Sequence, residues 1–207
     1  MHIRGVILEG YSHAGKTSLL KEIKRCQMEE DNSERSVVIL GEHYTQVLNS
    51  VNGECKSLTQ REHLELLKER VSMLKQLNDW AIKLGPASRR SRGIFFVLER
   101  FHLNHRAAFV NSGQSEISKI EEELTRLGAK CVLLTISDDI ETRIKSRNPE
   151  EWDNKTHKET EEYIAELIRT QDSYRQQSKL SKIPTIEINT DSKKWEDITK
   201  QILKSTY

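Results

Sequence analysis

The 207-residue chain lacks the features that mark several large classes. It has three cysteines, Cys26, Cys55 and Cys131, far apart and without a C-x-x-C pair. Neither a thiolate zinc site nor a disulfide framework is indicated. Cys131, inside an apolar run, is expected to be a small core residue. An excess of one charge is also lacking: 33 lysines and arginines meet 32 acids, for a formal net charge of +1. A nucleic-acid binder is expected to show a basic bias. The short basic cluster Arg89, Arg90 and Arg92 has no interleaved aromatic residues and reads as an exposed loop. No run is long and apolar enough to cross a bilayer, and no stretch reads as a signal peptide. Repeats, low-complexity tracts and linkers are missing, so residues 1–207 are expected to form one domain. No N-K-x-D follows a strand, which argues against a GTPase. The expected setting is reducing and cytoplasmic, with no membrane or nucleic-acid partner.

What is present starts at Gly10-Tyr11-Ser12-His13-Ala14-Gly15-Lys16-Thr17, which reads G-x-x-x-x-G-K-T. This is the phosphate-binding P-loop pattern. The apolar run Ile3 to Leu8 precedes it, and Leu19, Leu20 and Ile23 follow at helical spacing. Strand, glycine loop and helix is the order that the chemistry needs. Gly10 and Gly15 let the backbone curl so that the amides of Ser12, His13, Ala14 and their neighbours through Ser18 face phosphate oxygens. The following helix adds the positive end of its dipole. Lys16 is expected to reach the β- and γ-phosphates, and Thr17 to offer its hydroxyl to Mg²⁺.

Further apolar runs at Val37–Leu40, Ile94–Leu98, Cys131–Ile136 and Thr185–Ile188 read as four more buried strands. Strands alternate with amphipathic helices, which predicts an α/β fold: a five-stranded parallel sheet with helices on both faces. Val47 to Ser57 has weak periodicity and is expected to be irregular. Thr59 with Glu62, and Thr156 with Glu159, have the capping-box spacing. The first should start a long helix with Leu64, Leu67, Val71 and Leu74 on one face, ended by Gly85-Pro86. Two helices are expected at about 104–111 and 115–127. The helix from Thr156 is expected to bury Tyr163, Ile164, Leu167, Ile168 and Tyr174. A last helix carries Trp195, Ile198, Ile202 and Leu203.

Three further places invite chemistry. Glu42 lies beyond the carboxyl end of the second strand, where ligands sit in open α/β sheets; a solvated loop acid is the alternative. Glu99 directly follows the third strand of the series, where P-loop proteins hold Mg²⁺ or its water shell, and Arg100 beside it can bind phosphate. After the fourth, Asp138 or Asp139 should cap a short helix with Arg143 and Arg147 four apart on one face, broken at Asn148-Pro149. This reads as a closing lid at about 138–156, or as a surface helix with paired charges.

Together the motifs resemble the thymidylate kinase and deoxynucleoside kinase branch of the P-loop kinases. The likeness spans nearly the whole chain by motif and order. Leu8-Glu9-Gly10 resembles the E-G opening of thymidylate kinases. Glu99-Arg100-Phe101 resembles their D-R-Y/H and the E-R-S of deoxynucleoside kinases. Arg143-Ile144-Lys145-Ser146-Arg147 is similar to the R-x-x-x-R lid of both. The resemblance implies ATP as phosphoryl donor on Lys16 and the loop amides, with Mg²⁺ at Thr17 and Glu99. It implies that Arg143 and Arg147 close over the transferred group, and that Asn189 to Asp191 lie near the donor adenine. It implies Glu42 as the base toward a hydroxyl, and Arg70 and Arg100 on the acceptor side. The acceptor would be a small molecule, a nucleoside or its monophosphate, and the helix from Thr59 can pack a homodimer. Gly41-Glu42-His43-Tyr44 lacks the arginine of the R-E-P run of thymidylate kinases, and Phe101 replaces the serine of the E-R-S motif. The acceptor half thus departs from both subfamilies while the donor half is intact. A kinase of another small molecule, a nucleotide-binding regulatory protein and a slow ATPase remain the alternatives.

Overall fold

The computed structural model describes residues 3–29, 33–34, 36–51, 54–84, 93–110, 113–137, 140–147, 149–153 and 155–206. In chain order the elements are β1 (Ile3–Glu9), α1 (Lys16–Glu29), β2 (Ser36–Leu40), a 3-10 turn (Glu42–Tyr44), β3 (Leu48–Val51), β4 (Glu54–Ser57) and α2 (Gln60–Leu84). Then come β5 (Ile94–Glu99), α3 (His102–Ala108), α4 (Gln114–Arg126), β6 (Ala129–Thr135), α5 (Ile140–Arg147), α6 (Pro149–Asp153), α7 (His157–Leu180), β7 (Thr185–Asn189) and α8 (Trp195–Ser205).

Five strands pair in parallel in the order β2-β5-β1-β6-β7. The α/β fold read from the sequence is the observed one. Its central strands are buried on both faces, so apolar side chains alternate between two cores. Ile3, Ile7, Phe96, Leu98, Cys131 and Leu133 face one side, where Leu64, Leu67, Val71 and Leu74 of α2 and Ile117, Ile120 and Leu124 of α4 cover them. Val6, Leu8, Phe95, Val97, Val132 and Leu134 face the other, against Leu19 and Ile23 of α1 and Ile198, Ile202 and Leu203 of α8. β1 lies at the centre, so the loop that leaves its carboxyl end emerges mid-sheet. β2 and β5 deliver residues to one side of that loop, β6 and β7 to the other.

Three expectations need correction. Residues 48–51 and 54–57 are not irregular: they form β3 and β4, which pair antiparallel with Leu48 opposite Ser57. β4 is exposed along its length, so it carries no alternating apolar signal. The helices expected at 104–111 and 115–127 begin earlier, at His102 and Gln114. Ile168 is 42% exposed, because α7 buries the face through Leu167, Gln171 and Tyr174, and Ile168 lies one position off it. The helix with Arg143 stops before Pro149, as expected: α5 ends at Arg147, and Pro149 starts α6, where a proline at the first helical position loses no hydrogen bond. Both capping boxes are present: Glu62 N–H donates to Thr59 Oγ1 and Thr59 N–H to Glu62, and Thr156 and Glu159 repeat the exchange. The Gly85-Pro86 stop, the Arg89–Arg92 cluster, Asp138, Asp139 and Asn148 lie outside the described residues.

α5 and α6 are anchored by their own small core. Ile144 and Trp152 are buried against Tyr11, Ile136 and Leu167. A second polar brace joins α3 to α4: Arg106 donates from Nε and Nη2 to the two oxygens of Glu121 at 2.6 and 2.8 Å.

Candidate active site

The loop after β1 curls as its glycines permit. Gly10 has φ +137° and Gly15 φ +91°, both in the region that L side chains avoid. Each position is also closed to a side chain. A Cβ on Gly10 would lie 2.7 Å from the Leu134 carbonyl oxygen, and one on Gly15 2.3 Å from the Trp195 ring. Lys16 opens α1 and is nearly buried. Its Nζ donates to the carbonyls of Gly10 and Tyr11, 3.0 Å each, reaching back across the loop. Burial, helped by the Arg100 charge, pulls Lys16 down to about 7, although Glu42, Glu99 and Glu9 oppose the shift. An anion placed in the loop would reverse it.

On the β2–β5 side, Arg100 organises the wall. Its backbone has φ +49°, an unusual position for a residue with a side chain. Its Nε lies 3.1 Å from Glu42 Oε2, and its two terminal nitrogens donate to Gln46 Oε1 at 3.1 Å and Ser12 Oγ at 3.0 Å. Glu99 sits behind this pair, with its carboxyl raised by burial while Lys16 pulls it down. The 3-10 turn that carries Glu42 is held from below. Thr45 Oγ1 donates to the Glu99 carbonyl. His63 Nε2 lies 2.8 Å from the Thr45 carbonyl, and His63 Nδ1 lies 3.0 Å from His105 Nδ1. This geometry assigns Nε2–H to His63 and Nδ1–H to His105. Burial lowers both rings, His105 to about 3, so the pair stays neutral.

On the β6–β7 side, Arg143 of α5 does not stand free over the loop. Its guanidinium donates to Thr190 Oγ1 at 3.0 Å and to the Thr190 carbonyl, and lies 3.8 Å from Asp191. Thr190 Oγ1 in turn donates to the Ala14 carbonyl at 3.1 Å, which ties the helix to the P-loop. Asp191 accepts from the N–H and the hydroxyl of Ser137.

Between these walls lies a cleft of about 580 Å³. Of the residues singled out from the sequence, Ser12, His13, Gly15, Lys16, Thr17, Ser18, Glu42, Arg100 and Arg143 line it. Gly10 and Ala14 form the buried underside of the loop, and Glu99 and Asp191 stand behind the walls. Arg70 does not line the cleft: it donates to the Tyr44 carbonyl at 3.2 Å and pairs with Glu69. The Arg147 side chain lies outside the described residues. Gln46, Leu48, Ser146, Lys193 and Trp195 line the cleft without having been singled out. Trp195 was legible only as an apolar helix position. A groove of about 470 Å³ between α2 and α4 is remote from the loop. The ion pairs Lys68–Glu116 and Lys75–Glu123 cross it.

Glu9, the last residue of β1, is fully buried and couples the loop to α3. Its Oε1 accepts from the N–H groups of Phe101 and Leu103, each at 2.9 Å, and lies 3.5 Å from His102 Nδ1. Burial pushes its carboxyl up to about 7 against those hydrogen bonds. The folded state therefore binds more protons at Glu9 than the unfolded chain between about pH 4.5 and 7, and its contribution to stability is lost as pH rises through that window. A shift of this size is worth on the order of 3 kcal/mol. His102, lowered to about 4 by burial, has the opposite sign below pH 6.5, so the wild-type profile alone is ambiguous. Urea unfolding of wild type and Glu9→Gln at pH 5 and 7.5 separates them. The variant should lack the Glu9 loss; identical profiles would refute the assignment.

Magnesium needs few protein donors, because it keeps several waters and takes phosphate oxygens from its nucleotide. Among the described residues no group of three or more His, Cys, Asp or Glu can hold a metal ion. A hydroxyl in the cleft, Thr17, and a carboxylate behind it, Glu99, fit the smaller requirement.

No protein-family model matches the chain, and no curated protein matches it either. Solved structures do. YorR from Bacillus subtilis, crystallised with phosphorylated GDP, aligns over 97% of this chain and 94% of its own at 14% identity, with a TM-score of 0.57. Thymidylate kinase from Ehrlichia chaffeensis aligns over 100% of both chains at 13% identity, with a TM-score of 0.56. The chain has a thymidylate kinase-like P-loop kinase fold. In this kinase fold the P-loop leaves the central strand, and the acid–arginine pair and the Arg143 helix come from opposite sides of it. The order of motifs along the sequence is thereby converted into one cleft. Among the described residues, no helix is long and apolar enough to cross a membrane.

Proposed function

We propose that the protein is an ATP-dependent phosphotransferase that moves the γ-phosphoryl group to a nucleoside, a nucleotide or a similar small acceptor. The observation that carries this reading is the cleft itself: a nearly buried P-loop lysine and an acid–arginine pair share it. Lys16 and the loop amides hold the donor phosphates, and Arg100 and Glu42 face the acceptor. Thr17 and Glu99 would hold magnesium, directly or through its waters, and the bound ion would neutralise charge on the phosphates. The acceptor oxygen forms a bond to the γ-phosphorus, the bond to the β–γ bridging oxygen breaks, and ADP leaves. A hydroxyl acceptor gives its proton to the Glu42 carboxylate; a phosphate acceptor needs no base. Catalysis is then mostly positioning and charge neutralisation. Arg143 lines the cleft with two of its five N–H groups held by Thr190, which leaves others to meet a phosphate; Arg147 lies one turn further along α5. Arg70 acts through the backbone at Tyr44. A homodimer through α2, whose Trp80 and Ile82 are exposed, and a cytoplasmic setting belong to the same reading.

The test is ADP release from Mg-ATP against a panel of nucleosides, nucleoside monophosphates and other small hydroxyl compounds. Acceptor-dependent release is expected. With a hydroxyl acceptor, Glu42→Gln should lower turnover by about 10²-fold or more with little change in acceptor KM. Release that ignores every acceptor would replace the kinase reading with a slow ATPase or a regulatory protein.

A further inference from the structure

The cleft has two halves, and only one has an evident occupant. The P-loop is its centre. Glu42 and Arg100 reach it from the β2–β5 side and mark the acceptor half. A donor whose phosphates lie in the loop must then extend its sugar and base toward the β6–β7 side. The surface there is formed by Arg143 and Ser146 of α5 and by Lys193 and Trp195 at the start of α8.

Trp195 is the aromatic ring in that half. It packs partly on the core formed with Leu19 and Ile198, so it is anchored from behind. Its edge presses on the P-loop: the Cη2 and Cζ3 atoms would lie 2.3 and 2.8 Å from a Cβ on Gly15. The ring is thus held against the turn that cradles phosphate, and it also lines the open cleft. An aromatic face fixed in this way loses little freedom when a planar base stacks on it. Lys193, with φ +53°, projects from the tight turn before α8 into the same space.

We propose that Trp195 is the stacking platform for the donor's purine base, with Lys193 and Ser146 beside the ribose. The proposal rests on the phosphotransferase reading and adds the residue that selects a nucleotide over a bare polyphosphate. No sequence motif marks it.

Calorimetric binding of ATP and of inorganic tripolyphosphate to wild type, Trp195→Phe and Trp195→Leu tests it without turnover. Wild type is expected to bind ATP more tightly than tripolyphosphate. Trp195→Leu should weaken ATP about tenfold or more and leave tripolyphosphate within about twofold, while Trp195→Phe retains most of the ATP affinity. Unchanged ATP binding in Trp195→Leu would overturn the platform. Equal loss of both ligands in both variants would also overturn it, by making the ring a brace for Gly15. Wild-type protein that binds neither ligand would instead remove the phosphate-site reading on which the proposal stands.

Discussion

Lys16→Ala is expected to abolish acceptor-dependent ADP release, a loss of about 10³-fold or more. The ammonium is the charge that the P-loop contributes from its own sequence, and the structure keeps it nearly buried, bonded to the Gly10 and Tyr11 carbonyls. Two neutral carbonyl acceptors on the loop backbone hold it in place and supply no countercharge. Burial brings its pKa to about 7, so near pH 8 the free protein holds it mostly neutral. A polyphosphate favours the charged form. Binding at pH 8 should therefore take up close to one proton, and affinity should fall as pH rises above 7. Calorimetry in two buffers of different ionisation enthalpy measures that proton directly. The alanine variant should show none of the uptake. Near-wild-type turnover in the variant, or uptake that persists in it, would overturn the role given to Lys16.

Arg106→Met should lower stability by about 3–5 kcal/mol, because it leaves Glu121 buried without its cation. That is a large part of the ~5–15 kcal/mol that holds an ordinary domain together. Both residues are at most 2% exposed. Burial alone would raise Glu121, but the Arg106 guanidinium, together with His102 and the Lys182 N–H, keeps the carboxyl below its usual range. The Lys182 N–H also donates to Glu121 Oε2, at 3.0 Å, so the acid links α3, α4 and the end of α7. Replacing both members with methionine should recover at least half of the loss, since an apolar pair carries no desolvation cost. Urea unfolding gives both values. A single variant within about 1 kcal/mol of wild type would show that the pair is solvated in solution.

The parallel sheet was legible because its strands are buried on both faces and read as apolar runs. β3 and β4 were not, since a solvent-exposed hairpin leaves no alternation; the Asn52-Gly53 dipeptide between them was the available signal. The P-loop was legible because its chemistry is local. Two glycines, a lysine and a threonine fall within eight residues, so spacing alone marks the loop. Glu42, Glu99 and Arg100 were legible by position, since the strands aim their carboxyl ends at one edge of the sheet.

Contacts between distant segments were not written in any spacing. Arg143 binds Thr190, 47 residues away, and Arg100 meets Gln46 and Ser12 at separations of 54 and 88. Arg70 fell outside the cleft because a helix face sets direction but not depth. Trp195 looked like one more apolar residue of an amphipathic helix until the fold set it against Gly15. The sequence by itself determined the α/β architecture and the glycine loop after β1, because periodicity and a short motif act over neighbouring residues. The tertiary structure alone decided which polar groups are buried, which charges are already paired and which ring faces the cleft, because those depend on residues brought together only by packing.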